Sequence, residues 1–180
     1  AAQRRGAKVF TQTAVRGIET TAGAVSAVVT EHGTIRCSTV ILAGGAWSGV
    51  FCRSLGIRLP LLSTIGSVFR TAPVVDATDR SVSGAGFAMR KRLDGGYSVS
   101  HGGVSHFDIV PDSFRFFTDF LQLAWMARKH LRPCLTERFL TEWKRPSSWA
   151  LDQVSPFEAI RTLDPRPRQG TLDKARRNLA

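Results

Sequence analysis

Apolar and polar residues alternate from Lys8 to Thr20, with Val9, Thr11, Thr13 and Val15 on one side and Phe10, Gln12, Ala14 and Arg16 on the other. A period of two is that of a half-buried strand. Thr21-Ala22-Gly23 supplies a turn, and the Val-rich run Ala24 to Thr30 predicts a second strand. Glu31-His32-Gly33 then returns the chain through Thr34-Ile35-Arg36-Cys37, completing a predicted meander with His32 at a solvated turn tip. The pattern changes at Thr39-Val40-Ile41-Leu42-Ala43, which is apolar without alternation, as expected of a parallel strand buried on both faces. Gly44-Gly45 ends that run, and a short helix is predicted toward Leu55 with Ser48 as its N-cap.

Between Ser63 and His106 the pattern becomes one of short strands punctuated by turns. Ile65 to Thr71 reads as one strand. Phe87 to Leu93 and Tyr97 to Ser100 flank Asp94-Gly95-Gly96, a hairpin signal because glycine tolerates positive φ. The last third reads as helical. A long helix is predicted from about Phe114 to Leu131 with Asp112 as N-cap, interrupted by Pro133, and a shorter one over Thr136 to Trp143. Ser155-Pro156-Phe157-Glu158 has the form of a capping box, with Pro at the first helical position and Glu at the third. Thr171 to Ala180 starts one more helix.

Composition narrows the class. Hydrophobic residues at 43% and charged residues at 22% match a soluble globular chain with a real core. No apolar run approaches the roughly 20 residues that span a bilayer. Ala1-Ala2-Gln3-Arg4-Arg5-Gly6 has basic residues without an apolar stretch behind them, so a signal peptide is not supported and a cytoplasmic location is expected. The sequence lacks an initiator Met and reads as one that begins mid-protein. Cys37, Cys52 and Cys134 are far apart and form no C-x-x-C, which argues against a disulfide framework or zinc knuckle and for small buried thiols. The net charge of +11 attracts phosphate-rich partners in principle, but the basic residues are spread over every segment and interrupted by acids such as Glu137 and Glu142. That spread reads as a solvated surface and not as a nucleic-acid interface.

Candidate chemistry centres on Val40-Ile41-Leu42-Ala43-Gly44-Gly45-Ala46-Trp47-Ser48. Adjacent glycines at a strand end let backbone approach a ligand closely, and the amides of a following helix start can face a phosphate. The order Gly6-Ala7-Lys8-Val9, Thr13-Ala14-Val15, Gly33-Thr34-Ile35 and then Val40 to Ser48 resembles the middle of the FAD domain in the D-amino-acid oxidase, glycine oxidase and sarcosine oxidase family. The resemblance is specific over residues 6–60 and looser beyond. It implies an α/β (α+β) fold: part of a FAD/NAD(P)-binding Rossmann-like domain, a β-meander plus parallel strand, joined to an antiparallel-sheet substrate domain with helices. The boundaries it implies are 1–62 for the partial FAD domain, 63–165 for the substrate domain and 166–180 for the start of a return to the first. By the same resemblance FAD is the cofactor, with Val15 backbone against adenine, Ala43, Gly44 and Gly45 along ribose and pyrophosphate, and Trp47 beside the cleft. A core aromatic is an equal reading of Trp47.

Two family features are missing from this sequence: the G-x-G-x-x-G opening and the later Gly-rich segment that reaches the flavin ring. Gly84-Ala85-Gly86 does not replace the first, since Met89 stands where the third glycine belongs and a basic hairpin follows. The expectation is therefore an internal fragment of an enzyme acting on CH–NH donors, oxidising an amine or amino acid by hydride transfer to flavin. A carboxylate-bearing substrate needs a cation, for which Arg90 is the candidate, with Tyr97 and His101 beside it on the substrate sheet; a solvated Arg90 and a sheet-covering Tyr97 are the plainer readings. His101, His106 and Asp108 have the wrong spacing for a metal site, and no G-x-S-x-G elbow is present. A different class stays open, a non-catalytic binding or assembly module, or an inactive truncated product, derived from the same fold. Unpaired sheet edges would favour self-association.

Overall fold

The computed structural model describes residues 1–75, 78–84, 86–101, 105–129 and 131–179. In chain order, a meander of β1 (Val15–Thr21), β2 (Ala24–Thr30) and β3 (Gly33–Arg36) leads to α1 (Ser48–Ser54). Six short strands follow: β4 (Thr64–Ile65), β5 (Val68–Arg70), β6 (Val82–Ser83), β7 (Ala88–Lys91), β8 (Tyr97–Ser100) and β9 (Ser105–Asp108). Next come α2 (Pro111–Arg115), α3 (Phe117–Ala127), β10 (Leu131–Cys134) and α4 (Arg138–Trp143), and the chain closes with α5 (Pro156–Ala159) and α6 (Gln169–Leu179). The mixed α/β class is as expected from sequence.

These elements divide into two compact units, residues 1–61 with 144–163 and residues 62–143 with 164–180. Residues 144–163 cluster with the meander, and residues 164–180 stay with the sheets. The physical reason is long-range pairing that local pattern does not reveal. Trp149 Nε1–H donates to the Arg16 carbonyl (2.8 Å), and Arg16 pairs with Glu158, so the segment is fastened to β1. α6 in turn packs on β8 and buries Leu172 and Ala175.

In the first unit, β1, β2 and β3 form an antiparallel sheet in that order. Ala22 (φ 52°) and Gly23 (φ 79°) both occupy the left-handed region, as a two-residue hairpin turn requires. The strand expected from Lys8 begins only at Val15. Val15 pairs with Thr30, the last residue of β2, so earlier residues have no partner strand. Ala14 N–H goes instead to the Glu31 carboxylate (2.7 Å).

The largest departure is at Thr39–Ala43. This run is in no sheet, and Ile41 is 88% exposed, where a strand buried on both faces was expected. A parallel strand exists only between hydrogen-bonded neighbours, and among the described residues none lies beside it. The following helix begins at Ser48 as its first residue, with Trp47 as the flanking residue, so Ser48 is not the cap.

In the second unit, β5-β8-β7-β6 form an antiparallel sheet. The Asp94-Gly95-Gly96 hairpin is present, with Gly95 at φ 82°. The single strand expected over Ile65–Thr71 is split, because the buried Ser67 between β4 and β5 accepts the Arg168 backbone N–H (2.9 Å). β10, β9 and β4 form the third sheet. The long helix expected from Phe114 is broken at the buried Phe116 (φ −110°) into α2 and α3. Its expected C-terminal end is strand β10, which runs parallel to β9 on the sheet edge, where Pro133 loses no ladder bond it must make. α2 starts at Pro111, which moves Asp112 inside the first turn and not to the cap. His130 and Ala180, within the ranges expected for two helices, and Ala85 of the rejected glycine loop lie outside the described residues.

Candidate functional site

Two regions gather the residues with chemical potential, one in each unit. In the first, the capping box forms as its sequence predicts: Ser155 N–H and Oγ–H both donate to Glu158 Oε1 (2.8 Å each). Glu158 also receives Arg16 Nε and Nη2, both at 3.0 Å, in a two-pronged pair. Beside it, Arg161 grips Glu31 with Nη1 and Nη2 at 2.8 and 2.7 Å. The Arg16 guanidinium holds the Glu158 carboxyl down to about 2, and Ser155 assists; Arg161, with the Ala14 amide, does the same for Glu31, also to about 2. Trp47 stands edge-on to Phe157 (5.2 Å), Trp149 meets the same ring (5.4 Å), and the Arg145 guanidinium lies 5.1 Å from the centre of the Trp47 ring.

Gln12, Thr13, Ala14, Trp47, Phe157 and Arg161 line an open cleft of about 300 Å³ directly before Val15. Val15 itself sits half-buried at the start of β1, whose second edge is unpaired among the described residues. Ala43 and Gly44 are exposed, and Gly45 begins a single 3₁₀ turn to Trp47 at φ +56°, a conformation that suits glycine. A methyl group added at Gly45 would meet nothing, so the backbone there is open to an approaching group. Trp47 is both a packed aromatic and a cleft wall.

In the second unit the register of the four-stranded sheet sorts side chains onto two faces. Tyr97 (3% exposed) and Val99 (0%) point to the core. Arg90, paired with Ser98, is on the opposite, open face. A shallow groove of about 320 Å³ there is lined by Val68, Ala88, Met89, Arg90 and small serines, including Ser98 and Ser100. Tyr97, expected beside Arg90 in the substrate site, instead spends its hydroxyl on the main chain of Thr78, accepting from N–H (3.0 Å) and donating to the carbonyl (2.9 Å). Strand alternation is the reason: odd positions of β8 face inward. His101 Nδ1 donates to the Gly86 carbonyl (2.8 Å), which also accepts from Asn178 (2.9 Å), so this histidine fixes the start of β7. Of the three substrate candidates, Arg90 alone is brought to the open groove.

Asp108 is fully buried and accepts from Arg168 Nη2 (2.7 Å) and Arg138 Nη1 (3.2 Å). No cluster of three or more His, Cys, Asp and Glu able to hold a metal occurs among the described residues. Sequence reasoning missed both ion-pair systems. Glu158 was legible as a cap, but its partner Arg16 lies far away in the chain; the one local hint was an excess of arginine over lysine around isolated acids.

Residues 1–171 match the family model "FAD dependent oxidoreductase" (DAO), and the chain belongs to that family. It is similar to glycine oxidase of Pseudomonas aeruginosa, 36% identical over 104 residues that cover 56% of this chain and 28% of the relative. It also matches the structure of L-amino acid deaminase from Proteus myxofaciens in complex with anthranilate, with a TM-score of 0.89 and 37% identity over 99% of this chain and 40% of the other. The L-amino acid deaminase from Proteus vulgaris gives a TM-score of 0.87 and 32% identity over 99% of this chain and 41% of the other. The chain thus spans well under half the length of these relatives. No helix among the described residues is long and apolar enough to cross a membrane.

Proposed function

We propose that these residues form part of an enzyme that oxidises an amino acid at its Cα–NH bond with FAD, the first unit lying along the cofactor and the second receiving the substrate. One observation carries the substrate half: Arg90 is exposed on the open sheet face among neutral, mostly small side chains. A guanidinium presents paired donors that match a carboxylate, and no acidic residue lines the groove to claim it. The cofactor half rests on fit. The main chain of Val15 at an edge without a partner strand, the exposed Ala43 and Gly44, and the open space at Gly45 suit the adenine and phosphate portions of FAD, with Trp47 as a cleft wall.

FAD, when bound, supplies the hydride acceptor. The protein's own residues orient the substrate and cofactor. Arg90 anchors the carboxylate, and His101 with Asn178 pins Gly86 so that β7 holds Arg90 at a fixed place. Binding with remote groups in this manner converts recognition into orientation at the reacting carbon. Three unpaired cysteines agree with a cytoplasmic location. Self-association through unpaired edges is supported by exposed Ile41 and the outer edge of β3, which pairs with no strand among the described residues.

The test uses the protein that carries these residues. It purifies yellow, releases FAD on denaturation, and is bleached anaerobically by an amino acid. Replacing Arg90 with Ala raises KM on the order of 10- to 100-fold, the worth of a charge-assisted hydrogen-bonded pair, and leaves flavin content unchanged. A colourless protein without releasable flavin would overturn the cofactor assignment; an unaltered KM in R90A would overturn the substrate anchor alone.

A further inference from the structure

Away from the groove, the third sheet carries a thiol and an imidazole in contact. Cys134 Sγ lies 3.6 Å from His106 Nδ1, within hydrogen-bond reach for sulfur. The pair is built by strand register. β10 runs parallel to β9 with Arg132 opposite His106 and Cys134 opposite Asp108, so these four side chains share one face. Asp108 is held by Arg138 and Arg168, and the thiol has two acceptors in reach, His106 Nδ1 and the Arg132 carbonyl at 3.7 Å. Cys134 is half-exposed and therefore reachable, whereas Cys52 is buried.

We propose that Cys134, with His106 as its proton acceptor, is a modification site for peroxides. The thiol proton passes to His106 Nδ1, and the sulfur attacks one oxygen of hydrogen peroxide or an alkyl hydroperoxide. The S–O bond forms as the O–O bond breaks, and the departing oxygen takes the proton from His106 and leaves as water or alcohol. Sulfur is oxidised by two electrons to a sulfenic acid and the peroxide is reduced.

The surroundings suit this role. Burial first, then the positive charges of Arg168, Arg132 and Lys174, hold His106 below its ordinary range, with Asp108 opposing. The imidazole is thus neutral near pH 7 and free to accept. Moving a proton from sulfur to imidazole leaves the sum of charge in the pair unchanged.

The experiment exposes the intact protein to hydrogen peroxide with dimedone, which traps sulfenic acids, and follows all three cysteines by mass spectrometry. Cys37 is the internal reference: it is also half-exposed, and among the described residues no histidine hydrogen-bonds its thiol. The Cys134 adduct is expected to form about tenfold faster than the Cys37 adduct, a modest share of what a positioned base supplies. His106→Gln brings it to the Cys37 rate and leaves Cys37 unchanged. A Cys134 adduct that forms no faster than that of Cys37, or a rate retained in H106Q, overturns the proposal. Should H106Q unfold, seen as labelling of buried Cys52, the wild-type pH series decides. A proton shift inside a neutral pair does not depend on pH, whereas an unassisted thiol reacts faster as its thiolate grows, so the Cys134 to Cys37 ratio falls as pH rises from neutral, and a ratio flat across that range overturns the assignment.

Discussion

Asp108 shows what a single buried charge does here. Its side chain is 1% exposed, and each carboxylate oxygen has its own guanidinium, Arg168 on one and Arg138 on the other. Replacing Asp108 with Ala is expected to cost roughly 3 kcal/mol, at the low end of the range for breaking buried pairs, because both arginines keep a route to water. Arg138→Ala costs less, since Asp108 retains Arg168. Urea denaturation of the two variants checks the order; equal losses would show that the carboxylate and not the pair is being measured. At this scale the sequence named Arg90 and Tyr97 together without saying which of them faces solvent. Both lie in the same hairpin, and the parity of the strand alone sends one to solvent and the other to the core.

Among the elements, the β7–β8 hairpin is the one the sequence describes best, and its turn is the reason. Gly95 adopts φ 82° and has only ordinary contact with Pro73. Valine there pays for a left-handed backbone without any gain in packing, about 1–2 kcal/mol. Asparagine tolerates the conformation and is expected to cost much less. Thermal melts of Gly95→Val and Gly95→Asn that shift equally would contradict a backbone origin. The helix from Phe114 was not legible in the same way. Its apolar residues predict a continuous helix, but Phe116 is drawn into the core and breaks it, and Leu131–Cys134 is recruited by β9. Pairing with a distant strand overrides local propensity.

For the molecule as a whole, acid is the revealing variable. Glu31 and Glu158 join the meander to residues 144–163, and both are held near about 2 against an ordinary 4.5. When the folded-state value is depressed, the unfolded chain binds protons first as pH falls. The stability these pairs supply is therefore complete above about 4.5 and is lost as pH drops toward about 2. Hydrogen exchange of segments 14–31 and 145–161 should accelerate together across that window. If 145–161 loosened alone, the two carboxylates would not be the fastening. His106 has the same sign from the other direction: an imidazole kept neutral in the fold withdraws stability as acid charges it in the unfolded chain.

By itself the sequence determined the meander, the glycine-marked turns, the capping box and the family, because each is a local pattern with a local cause: alternation, positive φ, or a side chain that caps its own helix. Only the tertiary structure decided the rest. It placed Arg16 on Glu158 and Arg161 on Glu31, sent the chain back and forth between the two units, set Cys134 against His106, and left Ile41 exposed where a buried strand was expected. These depend on which distant segments meet, and hydrogen bonding and burial between segments far apart in the chain leave no period to read in either one.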